Sequence, residues 1–243
     1  SQAVKLIQRL MRMLSTPLQE GPGYEVDAQI RPSGNYGPLI VTSTRWIDYY
    51  SREADIWEIQ ALLRMRGVAG DTALAGQLEG KAASLSRQSR PWSRVWPRLC
   101  HLRRRMEKER SLETHSGLDL KLGPGGLADV EFLVQGVQLT HAHNVQTRPL
   151  DTRELLALAG PELGLTSSQT KALQKWHQAL RSLELRMQLL TNHPSSLITR
   201  DTFDQLMHSG LWPPSGPETL IRDWNDIQVA RREIRKVWEE VCA

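Results

Sequence analysis

Four stretches of this sequence place apolar residues at alternating three- and four-residue steps, and that spacing restricts the possible folds more than any other feature. Residues 167–191 carry Leu173, Trp176, Leu180, Leu183, Met187 and Leu190 on one seam. Residues 217–241 carry Leu220, Trp224, Ile227, Ile234, Trp238 and Val241, with Arg231 interrupting the series. The pattern recurs over 93–110 with Val95, Leu99, Leu102 and Met106, and over 127–141 with Leu127, Val130, Val134 and Val137. A helix with one narrow apolar stripe must bury it against neighbours, so the spacing predicts an antiparallel helical bundle. Asp151, followed three residues later by Glu154, predicts the start of another helix.

The first part of the chain is patterned differently. Residues 2–15 predict an amphipathic helix with the stripe Val4, Ile7, Leu10, Met11 and Leu14. Tyr24 to Arg31 then alternates, with Tyr24, Val26, Ala28 and Ile30 on one side and Glu25, Asp27, Gln29 and Arg31 on the other. Alternation of period two predicts a strand, and Leu39-Ile40-Val41 suits a second strand returning antiparallel after the loop at 32–37. Pro and Gly cluster at 21–38, 123–126, 160–164 and 213–217 and punctuate the chain. The expected fold is mainly α: a small α/β piece over residues 1–76, then an antiparallel helical bundle over 77–243.

Composition excludes several classes of function. The net charge of +4 is too small to indicate nucleic acid. A basic stripe of Arg94, Arg98, His101, Arg105 and Lys108, with Arg103, Arg104 and Arg110 around it, is interspersed with Glu107, Glu109 and Glu113, so no nucleic-acid partner is expected. Cys100 and Cys242 alone cannot build a disulfide framework or a cysteine zinc finger. His141 and His143 are poorly spaced for joint chelation, and no metal is assigned to any histidine. No apolar run approaches the roughly 20 residues that span a bilayer, and the opening Ser1-Gln2-Ala3 is not a signal peptide. The expectation is a cytoplasmic protein of a reducing compartment with no membrane contact.

Two segments could carry chemistry. The polar side of the predicted strand is either a solvated sheet face or a site where Asp27 binds a metal beside an Arg31 that holds phosphate oxygens, hard ligands that suit Mg²⁺. The block from Asp119 through Gly123-Pro124-Gly125-Gly126 to Phe132 sets glycines before a helix. Such glycines either let backbone N–H groups approach an anion or permit a tight turn. The block lacks the Lys-Ser/Thr pair of a P-loop, which favours the turn. Asp129 and Glu131 also suit the first turn of a helix.

Four ordered blocks point further. They are Tyr24-Glu25-Val26-Asp27 with Arg31 to Leu39; Tyr49-Tyr50; Trp57-Glu58 through Gln60 to Arg66 and on to Gly70-Asp71; and Asp119-Leu120-Lys121 through Gly125-Gly126 to Phe132 and Gln135. In these blocks the sequence resembles the glutamine synthetase adenylyltransferase family, bifunctional enzymes also called adenylyl-removing enzymes. The resemblance implies a nucleotidyltransferase domain like that of DNA polymerase beta, followed by a helical bundle. It implies transfer of AMP from ATP to a tyrosine of glutamine synthetase, or its removal by phosphorolysis, with a PII signalling protein as a further partner. It also implies Mg²⁺ held by three carboxylates, of which Asp27 matches the third and is the catalytic and metal-binding candidate. Arg31, Arg64, Arg66 and Lys121 become candidate substrate or phosphate contacts, and Glu25, Glu58, Asp119, Asp129 and Glu131 candidate cleft-lining residues.

The sequence also departs from that family. No Gly-Ser followed by Asp-x-Asp occurs, Gln29 stands where an Arg is usual, and Ile59 and Met65 replace more usual residues. The chain alone is therefore expected to be a fragment with little or no catalysis. Ser33 points to the adenylylating rather than the removing unit. The alternative is a non-catalytic helical module, residues 77–243, that docks glutamine synthetase or a PII protein through the basic stripe and its surplus of tryptophans.

Overall fold

The computed structural model describes residues 2–19, 21, 23–141, 151–211 and 220–243. His143 and the Pro/Gly cluster at 213–217 lie outside them. Among the described residues there are ten α-helices, one short 3₁₀ turn and a single two-stranded sheet, so the protein is mainly α. Two compact units divide at Ser86/Arg87; the boundary read from the sequence, 76/77, falls within the last helix of the first unit.

The first unit contains α1 (Gln2–Ser15), α2 (Ser43–Arg52), α3 (Ile56–Leu62) and α4 (Thr72–Ser86). α1 forms where its stripe predicts, yet it buries no residue; Val4, Ile7 and Met11 are half-covered, and Leu10 and Leu14 are exposed. The core of this unit is instead Tyr49, Tyr50, Ile56, Ile59, Leu62, Ala82 and Leu85, where α2 and α3 pack on α4. The Tyr50 ring stands edge-on to Tyr49 and tilts against Trp46. α3 is only seven residues long, and a capping box fixes its start: Glu58 Oε2 accepts the Asp55 N–H while the Asp55 side chain caps in return.

The strands expected over Tyr24–Arg31 and Leu39–Val41 do not form. The alternation is real, but a strand exists only through a ladder of hydrogen bonds to a neighbour, and neither segment has one among the described residues. The backbone there is irregular. An Asx-type turn, in which Asp27 Oδ1 accepts the Gln29 N–H at 2.7 Å, takes up part of its bonding capacity.

The second unit is the bundle: α5 (Trp92–Arg110), β1 (Gly117–Asp119), α6 (Leu127–Thr140), α7 (Thr152–Glu162), α8 (Ser167–Thr191), β2 (Leu197–Thr199), α9 (Arg200–His208) and α10 (Trp224–Cys242). α6 sits at its centre, with twelve of its 14 residues buried, and α5, α7, α8 and α10 pack around it. A helix apolar on nearly every side is stable only in such a position. The predicted seams are the buried ones: Leu173, Leu180, Leu183 and Met187 of α8, Ile227, Ile234 and Trp238 of α10, and Val95 and Leu99 of α5. Asp151 and Glu154 make the anticipated capping box at the start of α7. β1 and β2 pair antiparallel, Gly117 with Thr199 and Asp119 with Leu197.

Candidate functional site

In the first unit Asp27 is exposed, and among the described residues it makes no ion pair and accepts the Gln29 N–H. Glu25 is exposed beside it. The Arg31 guanidinium folds back to donate from Nη1 to the Ala28 carbonyl, leaving Nε buried without a hydrogen bond. Arg64 and Arg66 stand exposed just beyond the end of α3. Glu58 is different. It is buried, caps α3, and accepts the Tyr49 hydroxyl at 2.7 Å, so its carboxylate is fully occupied in holding α2 to α3. Burial, and then the hydrogen bond to Glu58, raise the Tyr49 pKa; Tyr50 is pushed up to about 12, chiefly by burial.

In the second unit the Asp119–Glu131 block forms one closely bonded turn. Asp119 is completely buried at the end of β1. Its Oδ2 accepts the Leu112 N–H at 2.9 Å, and its Oδ1 accepts from Lys121 N at 3.0 Å, Leu122 N at 2.9 Å and Ser196 Oγ at 2.7 Å. Burial alone would raise its pKa; the donors outweigh that, and the group titrates below its ordinary value. The remaining loop amides are spent in the same way: Gly123 N on Asp119 O, Gly125 N on Asp129 Oδ2, Gly126 N on Gly123 O, and Leu127 N on Leu120 O. With its amides turned inward, this loop is a tight turn rather than an anion cradle. Lys121 is the exposed side chain at its rim, and Glu131 is half-covered on the first turns of α6.

A cluster of charges clamps the turn. Asp129 and Arg103, both fully buried, meet at 2.6 Å (Oδ1 to Nε). Arg103 Nη2 also donates to Gly123 O at 2.9 Å, and its Nη1 lies 3.2 Å from Glu107 Oε2, which Arg235 of α10 contacts at 2.7 Å. Arg235 reaches Asp129 Oδ2 at 3.5 Å. Burial pushes the Asp129 carboxyl above the usual range, while Arg103, the Gly125 amide and Arg235 pull against it. One turn along α10, Arg231 grips Glu113 at 2.8 and 3.0 Å, and Glu113 Oε2 accepts the Asp119 N–H at 2.9 Å. Gly125 has φ +70° with its Cα turned to the Arg231 backbone; a Cβ there would lie 1.9 Å from the Arg231 carbonyl oxygen.

Arg103, Glu107, Glu113, Arg231 and Arg235 are thus the residues that sequence reasoning missed. Arg103 stands in the sequence among the cations around the basic stripe, and Arg231 is a defect in a seam. The one available signal was that defect, a cation where an apolar residue was due. The stripe itself, Arg94, Arg98, His101, Arg105 and Lys108, is exposed. Near the sheet end of the bundle a separate hollow of about 380 Å³ is bordered by His115, Asp201 and Trp224, with the Arg200 guanidinium 5.5 Å from the centre of the Trp224 ring.

The described residues contain no group of three or more His, Cys, Asp or Glu side chains arranged to hold a metal ion. Asp27 and Glu25 by themselves do not make a divalent-metal site.

Comparison with known proteins gives the class first. Residues 2–81 match the family model described as glutamate-ammonia ligase adenylyltransferase, and residues 98–234 match the model described as GlnD PII-uridylyltransferase. Both descriptions are of nucleotidyltransferases, a class that suggests a divalent-metal requirement. The chain belongs to the glutamine synthetase adenylyltransferase family. It is 37% identical over 245 residues to a bifunctional glutamine synthetase adenylyltransferase/adenylyl-removing enzyme of Streptomyces coelicolor, covering 97% of this chain and 24% of that protein. It is 41% identical over 165 residues to the protein of the same name from Caulobacter vibrioides, covering 68% of this chain and 16% of that one. A Mesorhizobium japonicum protein so named is 36% identical over 157 residues, covering 65% of this chain and 16% of its own length. The chain thus spans about a quarter or less of the length of these curated relatives.

Proposed function

We propose that this chain is part of an enzyme that transfers AMP from ATP to a tyrosine of glutamine synthetase. The observation that carries this is the ordered match of both units to nucleotidyltransferase family models, with Asp27 exposed in the segment where the family resemblance requires a ligand. Ser33 favours the adenylylating over the phosphorolytic direction. A PII protein is the further partner, and the cytoplasm, where such substrates occur, the location. A separate docking module is the less favoured account, because both matched models are named as transferases.

The first unit serves as the later part of the nucleotidyltransferase domain and the second as its helical companion. Asp27 is one ligand of a Mg²⁺ set completed outside these 243 residues. In the first unit exposed Arg64 and Arg66 are the candidate phosphate contacts and exposed Glu25 a candidate cleft-lining residue; in the second, exposed Lys121 is the candidate phosphate contact and half-covered Glu131 the candidate lining residue. Arg31, turned back on Ala28, must swing outward to do the same. Glu58, Asp119 and Asp129 act one layer behind, fixing α3 and the glycine turn.

Incubating the purified chain and a full-length enzyme separately with glutamine synthetase, Mg²⁺ and labelled ATP tests the proposal. Label should pass to glutamine synthetase only with the full-length enzyme. Efficient transfer by the 243 residues alone would refute the incomplete-ligand account.

A further inference from the structure

We infer that Cys100 and Cys242 form a reversible thiol–disulfide exchange site whose state sets how firmly α10 is held against the glycine turn. The two residues lie 142 positions apart in sequence and are bonded in the structure, with Cα atoms 5.9 Å apart, well inside bridging range. The sequence argued only against a multi-bridge framework in a reducing compartment; packing of α10 on α5 creates the single pair, which no spacing along the chain could reveal.

Its position gives the bond a consequence. Cys100 precedes Arg103 by one turn of α5, and Cys242 follows Arg235 by two turns of α10, so each cysteine shares a face with one arginine of the Asp129 cluster. The bond therefore lies along the same α5–α10 seam that closes on Gly123 and Gly125. Ile234 and Trp238 keep α10 packed without it, so its loss loosens the clamp rather than unfolding the bundle.

Exchange is chemically direct. Cys100 is 4% exposed, whereas Cys242, the last residue of α10, is half-covered and reachable. A thiolate of a dithiol reductant attacks Cys242 Sγ; the S–S bond breaks and Cys100 leaves as a thiolate that takes a proton. The reductant's second thiolate then attacks its own sulfur in the mixed disulfide, freeing Cys242 as a thiolate and leaving the reductant as a disulfide. A small-molecule disulfide such as oxidised glutathione reverses both steps.

The test compares the chain equilibrated with oxidised glutathione and with dithiothreitol. In the oxidised sample both thiols should resist alkylation. Reduction should lower the melting temperature by roughly 5–10 °C and speed hydrogen exchange of the 120–126 amides. Cys242→Ser, at a half-covered position, should match the reduced protein under both conditions. Two alkylatable thiols after oxidation, identical melting and exchange in the two wild-type states, or a redox response surviving in Cys242→Ser would each overturn the inference.

Discussion

Arg103 of α5 and Asp129 of α6 form an ion pair at 2.6 Å from which solvent is wholly excluded, and that pair holds the turn leading into the central helix. Neither charge could be buried alone. Each is tolerated because the other, with the Gly123 carbonyl, the Gly125 amide and Arg235, replaces the water it has lost.

Removing one partner should therefore be far worse than removing both. Arg103→Met alone should destabilise the chain by about 3–5 kcal/mol, since it strands a buried carboxylate. Arg103→Met with Asp129→Leu should cost well under the sum of the two single changes. Urea unfolding of the three variants measures this; additive losses would mean the pair is not coupled.

Gly125→Ala should be destabilising by about 2 kcal/mol or more, because alanine resists a φ of +70° and its methyl would collide with the Arg231 backbone. Thermal melts provide the measurement. A neutral effect would show that the turn does not press on α10 as described.

Asp119 predicts an acid sensitivity. Its folded pKa is depressed, so its contribution to stability is complete above the unfolded value of about 3.9 and is lost as pH falls through the lower folded value. Wild-type urea midpoints should decline through that acid window. Asp119→Asn should be weaker at neutral pH and flatter below about pH 4. Parallel declines in the two proteins would contradict the assignment.

The helices are legible in the sequence because a seam of period 3–4 is a local signal with one structural outcome, as Leu173 to Met187 and Ile227 to Trp238 show. The turn at Gly123–Gly126 is legible for a similar reason, its glycines being local. Tyr24–Arg31 misleads because alternation states which faces differ, not whether a neighbouring strand is there to receive the backbone. Arg103 and the pairing of Cys100 with Cys242 depend on which helices meet, and partners 26 and 142 residues away leave no mark along the chain, while Arg231 shows only as a break in its seam that does not name Glu113 as its partner. For the candidate site, residue types and order carry the family, whereas burial separates Asp119, Asp129 and Glu58, which hold the structure, from the exposed Asp27, Arg64, Arg66 and Lys121.

The central claim is that Asp27 binds metal for nucleotidyl transfer. The most direct measurement is the rate of AMP transfer to glutamine synthetase by a full-length enzyme carrying Asp27→Asn, with circular dichroism confirming an unchanged fold. Because Asp27 is exposed and, among the described residues, bonded to the Gln29 amide alone, the substitution should leave stability within about 0.5 kcal/mol. The account predicts a loss of transfer of at least about a hundredfold; an undiminished rate would contradict it.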